Sequence, residues 1–580
     1  MLYQLSYLAR SRKIYHCMAA PTLDEGGTQA VWAPVRPGLR MRKQSIATAN
    51  VVSAHPSVSP WAPLSLSVFR MLWLAVLASD IGTWMQTVGA QWLLVGLPNA
   101  ATLVALVQTA DTLPDVLLAL PGGALADSFD RRRLLIGLQL FQVAIGVGLT
   151  ALTLAGQMTP PLLLAFTLAL GAGSALATPA YLALTPELVP RDQLSSAAAL
   201  GGISVNLARA IGPAVAGLVI ARVGVGAVFA LNTAAFLLFA LVLIAWRRPA
   251  EARAASPERF IPALRAGGRY VRYSPVVRRI LLHLGLFILP ASAIWALLPL
   301  VATQRLGLGA GGYGLLLGAL GAGALVGALG LPRVRERLSN NGILIVAAVV
   351  YGAAMVVLVL VRDPLAALLA LVPAGAAWIT VIASTNAAVQ LFLPGWVRAR
   401  GLAAYQMALF GSQAVGAVIW GLVAEYTALV TAFLLGALAL LAAAVTIRVW
   451  PLFDVHGLDR GPSMPWPEPN LVIDAEPDAG PILVTTRYTV RPEREHQFLE
   501  AMRAVRLSRL STGAIWWELY REGERANRFI EAYTVLSWDE HLRQHHVRLT
   551  GTDAVIERRA RALADSPPQV SHLFPVDPSD

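Results

Sequence analysis

The sequence predicts an all-α polytopic membrane protein with twelve transmembrane helices in two pseudo-symmetric six-helix bundles, followed by a small soluble α+β domain. Three observations lead to this fold class. Hydrophobic residues make up 56% of the 580 residues and charged residues only 14%, whereas soluble domains carry about 25% charged residues. Apolar runs of membrane-spanning length follow one another from residue 66 to 450. After residue 450 the composition becomes charged and aromatic.

The net charge of +12 predicts contact with anionic membrane lipid, because most basic residues lie between apolar runs. This distribution argues against a nucleic-acid partner. The single cysteine, Cys17, excludes a disulfide framework and a cysteine-based zinc site. No GxxxxGK[ST] loop occurs, which argues against direct ATP coupling. We predict no metal, no cofactor and no catalytic residues.

The chain divides into six predicted regions. The first region is expected to be a disordered cytoplasmic tail, since it has no periodic apolar run and no signal-peptide pattern. Met41 would make an ordinary start, so the true first residue is left open. The regions are a tail (1–60), a first bundle (61–246), a cytoplasmic linker (247–279), a second bundle (280–450), a proline-rich linker (451–480) and a soluble domain (481–580).

Twelve apolar runs are each near the ~20 residues that a helix needs to cross hydrocarbon. They fall at 68–96, 102–126, 134–156, 161–185, 197–221, 225–246, 280–304, 311–331, 342–361, 365–391, 401–423 and 427–450. Arginines concentrate in the loops after even-numbered runs, which predicts that both termini are cytoplasmic. The longest of these loops contains an amphipathic stretch at 257–273 and is expected to connect the two bundles.

The loop after the second run contains Gly123, Asp127 and a cluster beginning with Arg131 and Arg132. This spacing resembles the gating motif between helices 2 and 3 of the major facilitator superfamily. We expect the glycine to allow close helix packing, the aspartate to accept hydrogen bonds from helix ends, and the arginines to stay in cytoplasmic water. The loop departs from the family pattern at Ser128 and Asp130, which leaves its turn geometry open.

Small residues in two other runs extend the resemblance over residues 60–450. Gly212, Pro213 and Gly217 are similar to the helix-packing motif of proton-coupled antiporters in this superfamily. The glycine-rich eighth run resembles the enterobactin-exporter-like branch, also called transmembrane secretion effectors. Close helix packing explains these glycines better than dinucleotide binding, because no preceding strand or later acidic residue accompanies them.

The last hundred residues predict a soluble βαββαβ domain. The strands are expected at 482–490, 514–523, 528–537 and 569–574, with helices at 492–510 and within 538–565. This order resembles the ferredoxin-like domains of the antibiotic biosynthesis monooxygenase family, and it leaves open a homodimer through this domain. His541, His545 and His546 with Trp516 and Trp517 would suit a cofactor-free oxygenase pocket. The alternative is that the histidines lie on a solvated helix face.

Ionisable residues inside membrane spans are costly and are therefore candidates for function. Asp80, Asp111 and Asp115 are the predicted carboxylates for proton coupling, and Asn206 and Arg209 lie in the fifth run. Arg209 is expected to pair with Asp80 or Asp111, with a static packing pair as the alternative. The predicted substrate cavity comprises Trp84, Gln91, Gln108, Trp295, Asn386, Gln406 and Gln413.

These features favour a proton-coupled exporter of hydrophobic drug-like compounds or siderophores, with no enzymatic activity, in the plasma (inner) membrane. The expected partners are a small hydrophobic or amphipathic organic substrate, protons and membrane lipid. Two alternatives remain: a metabolite importer of the same fold, and a membrane-tethered cofactor-free monooxygenase. Substrate and transport direction are not specified by the sequence.

Overall fold

The computed structural model describes residues 59–246, 260–453, 458–463 and 471–576, apart from the side chains of residues 119, 120, 127 and 260–264. The predicted N-terminal tail therefore lies outside the described residues up to residue 58. Parts of both predicted linkers, at 247–259, 454–457 and 464–470, also lie outside them.

Six long apolar helices form the first bundle. Their lengths exceed the ~20 residues of a minimal span because several extend beyond the hydrocarbon. They are α1 (Ser67–Leu94), α2 (Ala100–Ser128), α3 (Arg131–Leu154), α4 (Pro160–Leu188), α5 (Leu194–Val223) and α6 (Val225–Ala245). A shorter amphipathic helix, Phe260–Tyr273, follows and is called the connector helix.

Six further helices form the second bundle. They are α7 (Pro275–Leu300), α8 (Ala310–Arg337), α9 (Asn340–Leu360), α10 (Pro364–Phe392), α11 (Arg398–Tyr426) and α12 (Leu429–Val449). The prediction of twelve membrane-spanning helices is confirmed for the described part of the chain. Helix ends differ from the predicted runs by a few residues; α8, for example, continues past the predicted end at 331 to Arg337.

The membrane part has an arginine-rich side and an arginine-poor side. On the arginine-rich side lie the α2–α3 loop, the connector helix and the end of α8. Polar side chains cap helices at both surfaces. The Asp130 carboxylate accepts a hydrogen bond from the Arg133 amide at 2.8 Å, and the Asp363 carboxylate accepts bonds from the first amides of α10. Such caps satisfy amides that would otherwise have no intrahelical acceptor.

The two bundles meet along two helix pairs, α5 with α8 and α2 with α11. Glycine makes this approach close enough for backbone-to-backbone contact. A Cβ atom at Gly314 would lie 2.5 Å from the Pro213 carbonyl oxygen, and one at Gly421 would lie 2.5 Å from the Ala105 Cβ. The helices therefore pack at a distance that only a residue without a side chain permits.

The soluble domain contains a four-stranded antiparallel sheet in the order β2-β3-β1-β4. Its strands are β1 (Ile482–Thr489), β2 (Trp516–Arg521), β3 (Arg528–Val535) and β4 (Gln569–Leu573). Its helices are α13 (Glu495–Thr512), α14 (Trp538–Arg543) and α15 (Gly551–Ala562). The predicted order of strands and helices matches these elements, while a π-turn interrupts the predicted helical stretch at 544–548.

A buried charge cluster ties α13 and α15 to the sheet. The Arg509 guanidinium binds the Glu531 carboxylate at 3.0 Å and also contacts the Glu557 carboxylate. Tyr488 and Trp517 donate further hydrogen bonds to Glu531, at 3.1 and 2.9 Å. Burial favours the neutral forms, but the two carboxylates raise the pKa of Arg509 well above its usual value. The cluster is therefore stable only while its cation is present.

We expect Arg509→Gln to lower the free energy of unfolding of the soluble domain by about 3 to 5 kcal/mol, because it leaves two buried carboxylates without their cation. Hydrogen exchange of the β3 amides in the full chain, measured across a urea series, gives this free energy. Arg503→Gln is the matched control, since Arg503 is exposed on the same helix. Equal stability of the two variants would contradict the role assigned to the cluster.

Candidate functional site

A cavity of about 730 Å³ lies within the first bundle, between α1, α3, α4, α5 and α6. It extends from Trp84, deep in α1, to Pro186 and Leu194 near the arginine-rich ends of α4 and α5. Its volume is within the range of pockets that hold a small organic molecule. The cavity is thus the candidate binding site of the first bundle.

Two of the predicted site residues, Asp80 and Trp84, line this cavity. The Asp80 carboxylate accepts a hydrogen bond from the Ser204 hydroxyl at 3.0 Å, which links α1 to α5. The polar residues that α3 and α4 contribute to the cavity were not predicted from the sequence. The sequence signal that could have identified them is the presence of Gln and Thr residues within the apolar runs that form α3 and α4. The missed polar lining residues are Gln139, Gln142, Ser174, Thr178, Tyr181 and Thr185.

Gln91 and Trp295, both predicted to bind substrate, lie instead in the contact between the bundles. The Gln91 amide nitrogen donates to the Trp295 carbonyl at 3.2 Å, and its oxygen accepts from the Tyr313 hydroxyl. Trp84 packs against Trp295 with ring centroids 5.7 Å apart, and Trp92 stacks on Tyr313. A buried amide that bonds two partners across the bundles helps to close the contact between them, and we call this contact the seal. Neither Gln91 nor Trp295 lines the described cavity.

The same seal continues at the arginine-poor ends of α2 and α11. A Glu425 carboxylate oxygen accepts from the Thr102 amide at 3.4 Å, at the first turn of α2. The Thr109 hydroxyl, about two turns further along α2, donates to the Ala414 carbonyl at 3.1 Å. A carboxylate at a helix N-terminus also interacts favourably with the helix dipole. These contacts close the arginine-poor half of the bundle interface.

Asp111 and Asp115 lie one turn apart on the middle of α2, on either side of Pro114. Both are half-buried. In the described part of the chain neither carboxylate forms a hydrogen bond or an ion pair. Gly171 of α4 packs against this turn, where an added Cβ would lie 2.9 Å from the Asp111 carbonyl oxygen. Two unpaired carboxylates are thus held beside a proline in the membrane interior, where an ionised carboxylate is costly.

Arg209 does not form the predicted ion pair. Within the described residues no salt bridge joins Arg209 to Asp80 or Asp111, because Asp80 bonds Ser204 instead. The Arg209 guanidinium carbon lies 5.5 Å from the centroid of the Trp84 ring, a cation–π distance. The neighbouring Asn206 side chain donates to the Gly202 carbonyl within its own helix, at 2.8 Å.

The other predicted cavity residues do not line the described cavity. Gln108 is buried on α2, and its backbone carbonyl accepts from the Thr112 hydroxyl. Asn386 on α10 accepts from Gln390 one turn further along. Gln413 is buried and Gln406 is exposed, both on α11. The predicted site residues are therefore distributed over both bundles rather than gathered in one pocket.

The α2–α3 loop differs from its prediction in two respects. Gly122, not Gly123, makes the close contact: an added Cβ at Gly122 would lie 3.2 Å from the Ala175 carbonyl oxygen, while Gly123 faces open space among the described atoms. Second, Arg131 and Arg132, which were predicted to stay in cytoplasmic water, bind neighbouring helices. Arg131 binds Glu187 at the end of α4 at 2.7 Å, whereas Arg132 donates to the last carbonyls of α6.

Arginines at helix C-termini compensate the carbonyls that lack intrahelical donors. The loop therefore fastens the arginine-rich ends of α3, α4 and α6 together. Asp130 caps α3 with φ −62°, so this position does not need the glycine that the family pattern has. The side chain of Asp127 lies outside the described residues.

The predicted packing motif lies at two helix contacts of α5. An added Cβ at Gly212 would lie 2.7 Å from the Trp84 Cβ, and one at Gly217 would lie 2.5 Å from the Ala310 carbonyl oxygen. The Pro213 carbonyl oxygen faces Gly314 of α8. Gly212 thus allows α1 to approach, and Gly217 allows α8 to approach.

Two histidines of the soluble domain, His541 and His545, are buried, contrary to the solvated alternative. The Nε2 atoms of His541 and His572 lie 3.0 Å apart, and Trp538 packs against both rings. Burial lowers the pKa of His541 to about 2 and that of His545 to about 4, so both are neutral at pH 7. Trp516 is exposed while Trp517 is buried, because successive strand residues face opposite sides of the sheet.

The soluble domain contacts the membrane part of the chain around Arg548. Its guanidinium donates twice to the Glu540 carboxylate, at 2.7 and 2.8 Å, and Arg269 of the connector helix approaches the same carboxylate at 3.6 Å. Trp396, in the α10–α11 loop, donates to the Arg548 carbonyl at 3.3 Å. Burial alone would raise the pKa of Glu540, but the arginines hold it below its usual value. We call Arg269, Trp396, Glu540 and Arg548 the docking cluster.

The described architecture has the fold of the major facilitator transporters. A bacterial homologue of the human lysosomal transporter Spinster, in an inward-facing unoccupied conformation, aligns with a TM-score of 0.52 and 14% identity over 66% of this chain and 95% of that chain. A D-xylose–proton symporter aligns with a TM-score of 0.52 and 16% identity over 67% and 99%. At these identities the likeness concerns the fold alone.

Residues 58–579 match the family described as transmembrane secretion effector, so the chain belongs to that family. The matched range includes the soluble domain. Two curated relatives are the enterobactin exporter EntS of Shigella boydii serotype 4 (strain Sb227) and that of Escherichia coli O1:K1 / APEC. Each is 30% identical over 267 residues, which is 45% of this chain and 60% of the relative. The match thus spans only about three fifths of these exporters.

Proposed function

We propose that this protein is a proton-coupled exporter of small amphipathic organic compounds that works by alternating access in the inner membrane. One observation carries the proposal: the cavity lies in the arginine-rich half of the first bundle, while the contact between the bundles is closed in the arginine-poor half. The asymmetry of arginine supports a cytoplasmic location for the arginine-rich side and for both termini. The cavity would then receive its substrate from the cytoplasm. The similarity to enterobactin exporters supports outward transport.

Asp111 and Asp115 are the proposed proton carriers. They lack partners in the described structure, and they lie beside the proline of α2, a helix that packs against both α4 and α11. Protonation would neutralise a charge whose burial is costly, so the two states of the cycle would differ in proton affinity. Asp80 has a hydrogen-bond donor in Ser204, so we rank it after Asp111 and Asp115 as a proton carrier.

We expect Asp111→Asn to abolish accumulation driven by a pH gradient while downhill exchange survives, since the amide cannot carry the proton. The measurement is transport in proteoliposomes, with and without an imposed gradient, of a compound selected from a panel of siderophores and amphipathic drugs. Asp192→Asn is the matched control, because Asp192 is exposed in the α4–α5 loop. Gradient-driven accumulation that persists in the Asp80, Asp111 and Asp115 variants, singly and combined, would remove all three from the coupling mechanism. Uptake into cells rather than export would favour an importer.

For the soluble domain we propose a regulatory role through the docking cluster. The strand order β2-β3-β1-β4, with a helix after β1 and helices after β3, supports a ferredoxin-like assignment. The cluster joins this domain to the connector helix, which links the bundles, and to the α10–α11 loop. Movement of one bundle against the other therefore has to displace the domain or move with it.

Arg548→Gln is expected to loosen the contact with the membrane part, because it removes the guanidinium that lies 5.1 Å from the Trp396 ring centroid. It also removes the partner that holds Glu540 towards Arg269 of the connector helix. Hydrogen exchange in the connector helix should rise, and the rate of transport should change at least twofold with the substrate affinity unaltered. Arg559→Gln is the control, since Arg559 is exposed on α15. A released domain with an unchanged transport rate would argue against regulation.

A further inference from the structure

Arg209 lies near the middle of α5, outside the cavity lining but beside two residues that line the inner end of the cavity. Val205, one helical turn earlier on the same face, lines the cavity, as does Trp84, over whose ring the guanidinium lies at 5.5 Å. The Arg209 carbonyl oxygen faces Gly321 of α8. Arg209 therefore occupies the junction of the cavity with the bundle interface, where a substrate would be held during alternating access.

Two nitrogen atoms of the Arg209 guanidinium have no hydrogen-bond acceptor among the described residues. Its Nε and Nη1 atoms are buried and form no hydrogen bond within the described structure. Asp80, the carboxylate that lines the cavity, accepts a hydrogen bond from Ser204, and within the described residues no salt bridge joins it to Arg209. A buried cation without acceptors is costly, and the Trp84 ring compensates it only in part. The site is complementary to a group that supplies negatively charged oxygen atoms.

We propose that Arg209 binds an anionic group of the transported compound, and that the substrate is an aromatic organic anion. This inference rests on the proposed transport function and specifies its substrate class. The guanidinium fork matches a planar carboxylate, which accepts two parallel hydrogen bonds. Trp84 provides an aromatic surface beside it, and Gln139, Gln142 and Tyr181 provide polar groups for hydroxyl or carbonyl substituents.

The charge of this substrate class is also consistent with export. A bacterial inner membrane is negative inside, so the potential favours the outward movement of an anion. A cationic substrate would instead be repelled by the unpaired guanidinium beside Trp84, at the inner end of the cavity lining. Asp80 lies nearer the arginine-rich end of the cavity and contributes a negative charge that opposes the anion.

The test uses the full chain in lipid nanodiscs and three radiolabelled probes of one shape: naphthoate, the neutral naphthamide and the cationic naphthamidine. Wild type should bind naphthoate about tenfold or more tightly than naphthamide, the factor expected for hydrogen bonds to a charged group. Arg209→Gln should abolish the preference, and Arg209→Lys should keep part of it. Arg222→Gln, an exposed position near the end of the same helix, should retain the full preference.

A second variant keeps the test decisive if Arg209→Gln fails to fold. Asp80→Asn removes the opposing charge and should tighten naphthoate binding by about two- to fivefold, whereas a cation site would lose naphthamidine binding in that variant. The inference is overturned if wild type does not bind naphthoate, if it binds the acid and the amide equally, or if Asp80→Asn weakens naphthoate binding.

Binding and transport fail separately in this design. Naphthoate bound with the expected preference but not transported in proteoliposomes would contradict the transport function and leave the anion site standing. Transport of neutral or cationic compounds, with naphthoate unbound, would support transport and overturn the anion site.

Discussion

Backbone contact between α5 and α8 is the constraint on which the arrangement of this protein depends. Gly217, Gly314 and Gly321 remove the side chains that would keep the two helices apart, and Gly421 does the same where α11 meets α2. Without a hydrophobic effect to drive helices together in lipid, close packing and interhelical hydrogen bonds supply the association. Gly217, Gly314 and Gly421 lie toward the arginine-poor side, so the bundles make backbone contact there, whereas the cavity of the first bundle lies in the opposite half.

The polar chemistry follows from this asymmetry. Gln91 joins the two bundles in the arginine-poor half, because its side chain bonds both the Trp295 carbonyl and the Tyr313 hydroxyl. These directional hydrogen bonds add to the close packing at the glycines. In contrast, Arg209, Asp111 and Asp115 lack ionic partners in the described structure. Unpaired ionisable groups in a membrane interior are retained at a cost in stability. Substrate and protons would supply the missing partners during the cycle, which explains why these groups are retained despite their cost in stability.

Much of the fold was predictable because membrane spans have a strong sequence signal. Length and apolar composition identified the twelve helices, and alternation identified the strands of the soluble domain. The site was less predictable. The spacing of polar residues on α1 places Asp80 and Trp84 on one face of the helix, and both line the cavity. Periodicity does not specify, however, which other helices that face meets. Gln139 and Gln142 were missed for that reason. Gln91 was expected to line the substrate cavity, and in the structure it bonds residues of the second bundle.

Charge pairing was the least predictable feature. Opposite charges on neighbouring spans suggested an ion pair between Arg209 and an aspartate, yet Ser204 satisfies Asp80 first. Likewise, the charged context of His541 suggested solvent, whereas β4 covers it with His572 and places both rings against Trp538. Both outcomes depend on residues distant in sequence, whose proximity only the tertiary structure specifies.

The most direct test of alternating access is a pair of spin-label distances across the α5–α8 contact, in a chain whose Cys17 is replaced by Ser. Labels at Arg222→Cys and Gly309→Cys report the arginine-poor side, and labels at Ser195→Cys and Arg337→Cys report the arginine-rich side. Gly314→Ala places a Cβ 2.5 Å from the Pro213 carbonyl oxygen, whereas Gly311→Ala meets no atom within 4 Å. We predict that Gly314→Ala lengthens the first distance and shortens the second, with both distances unchanged in Gly311→Ala. Unaltered distances in a folded Gly314→Ala protein would contradict it.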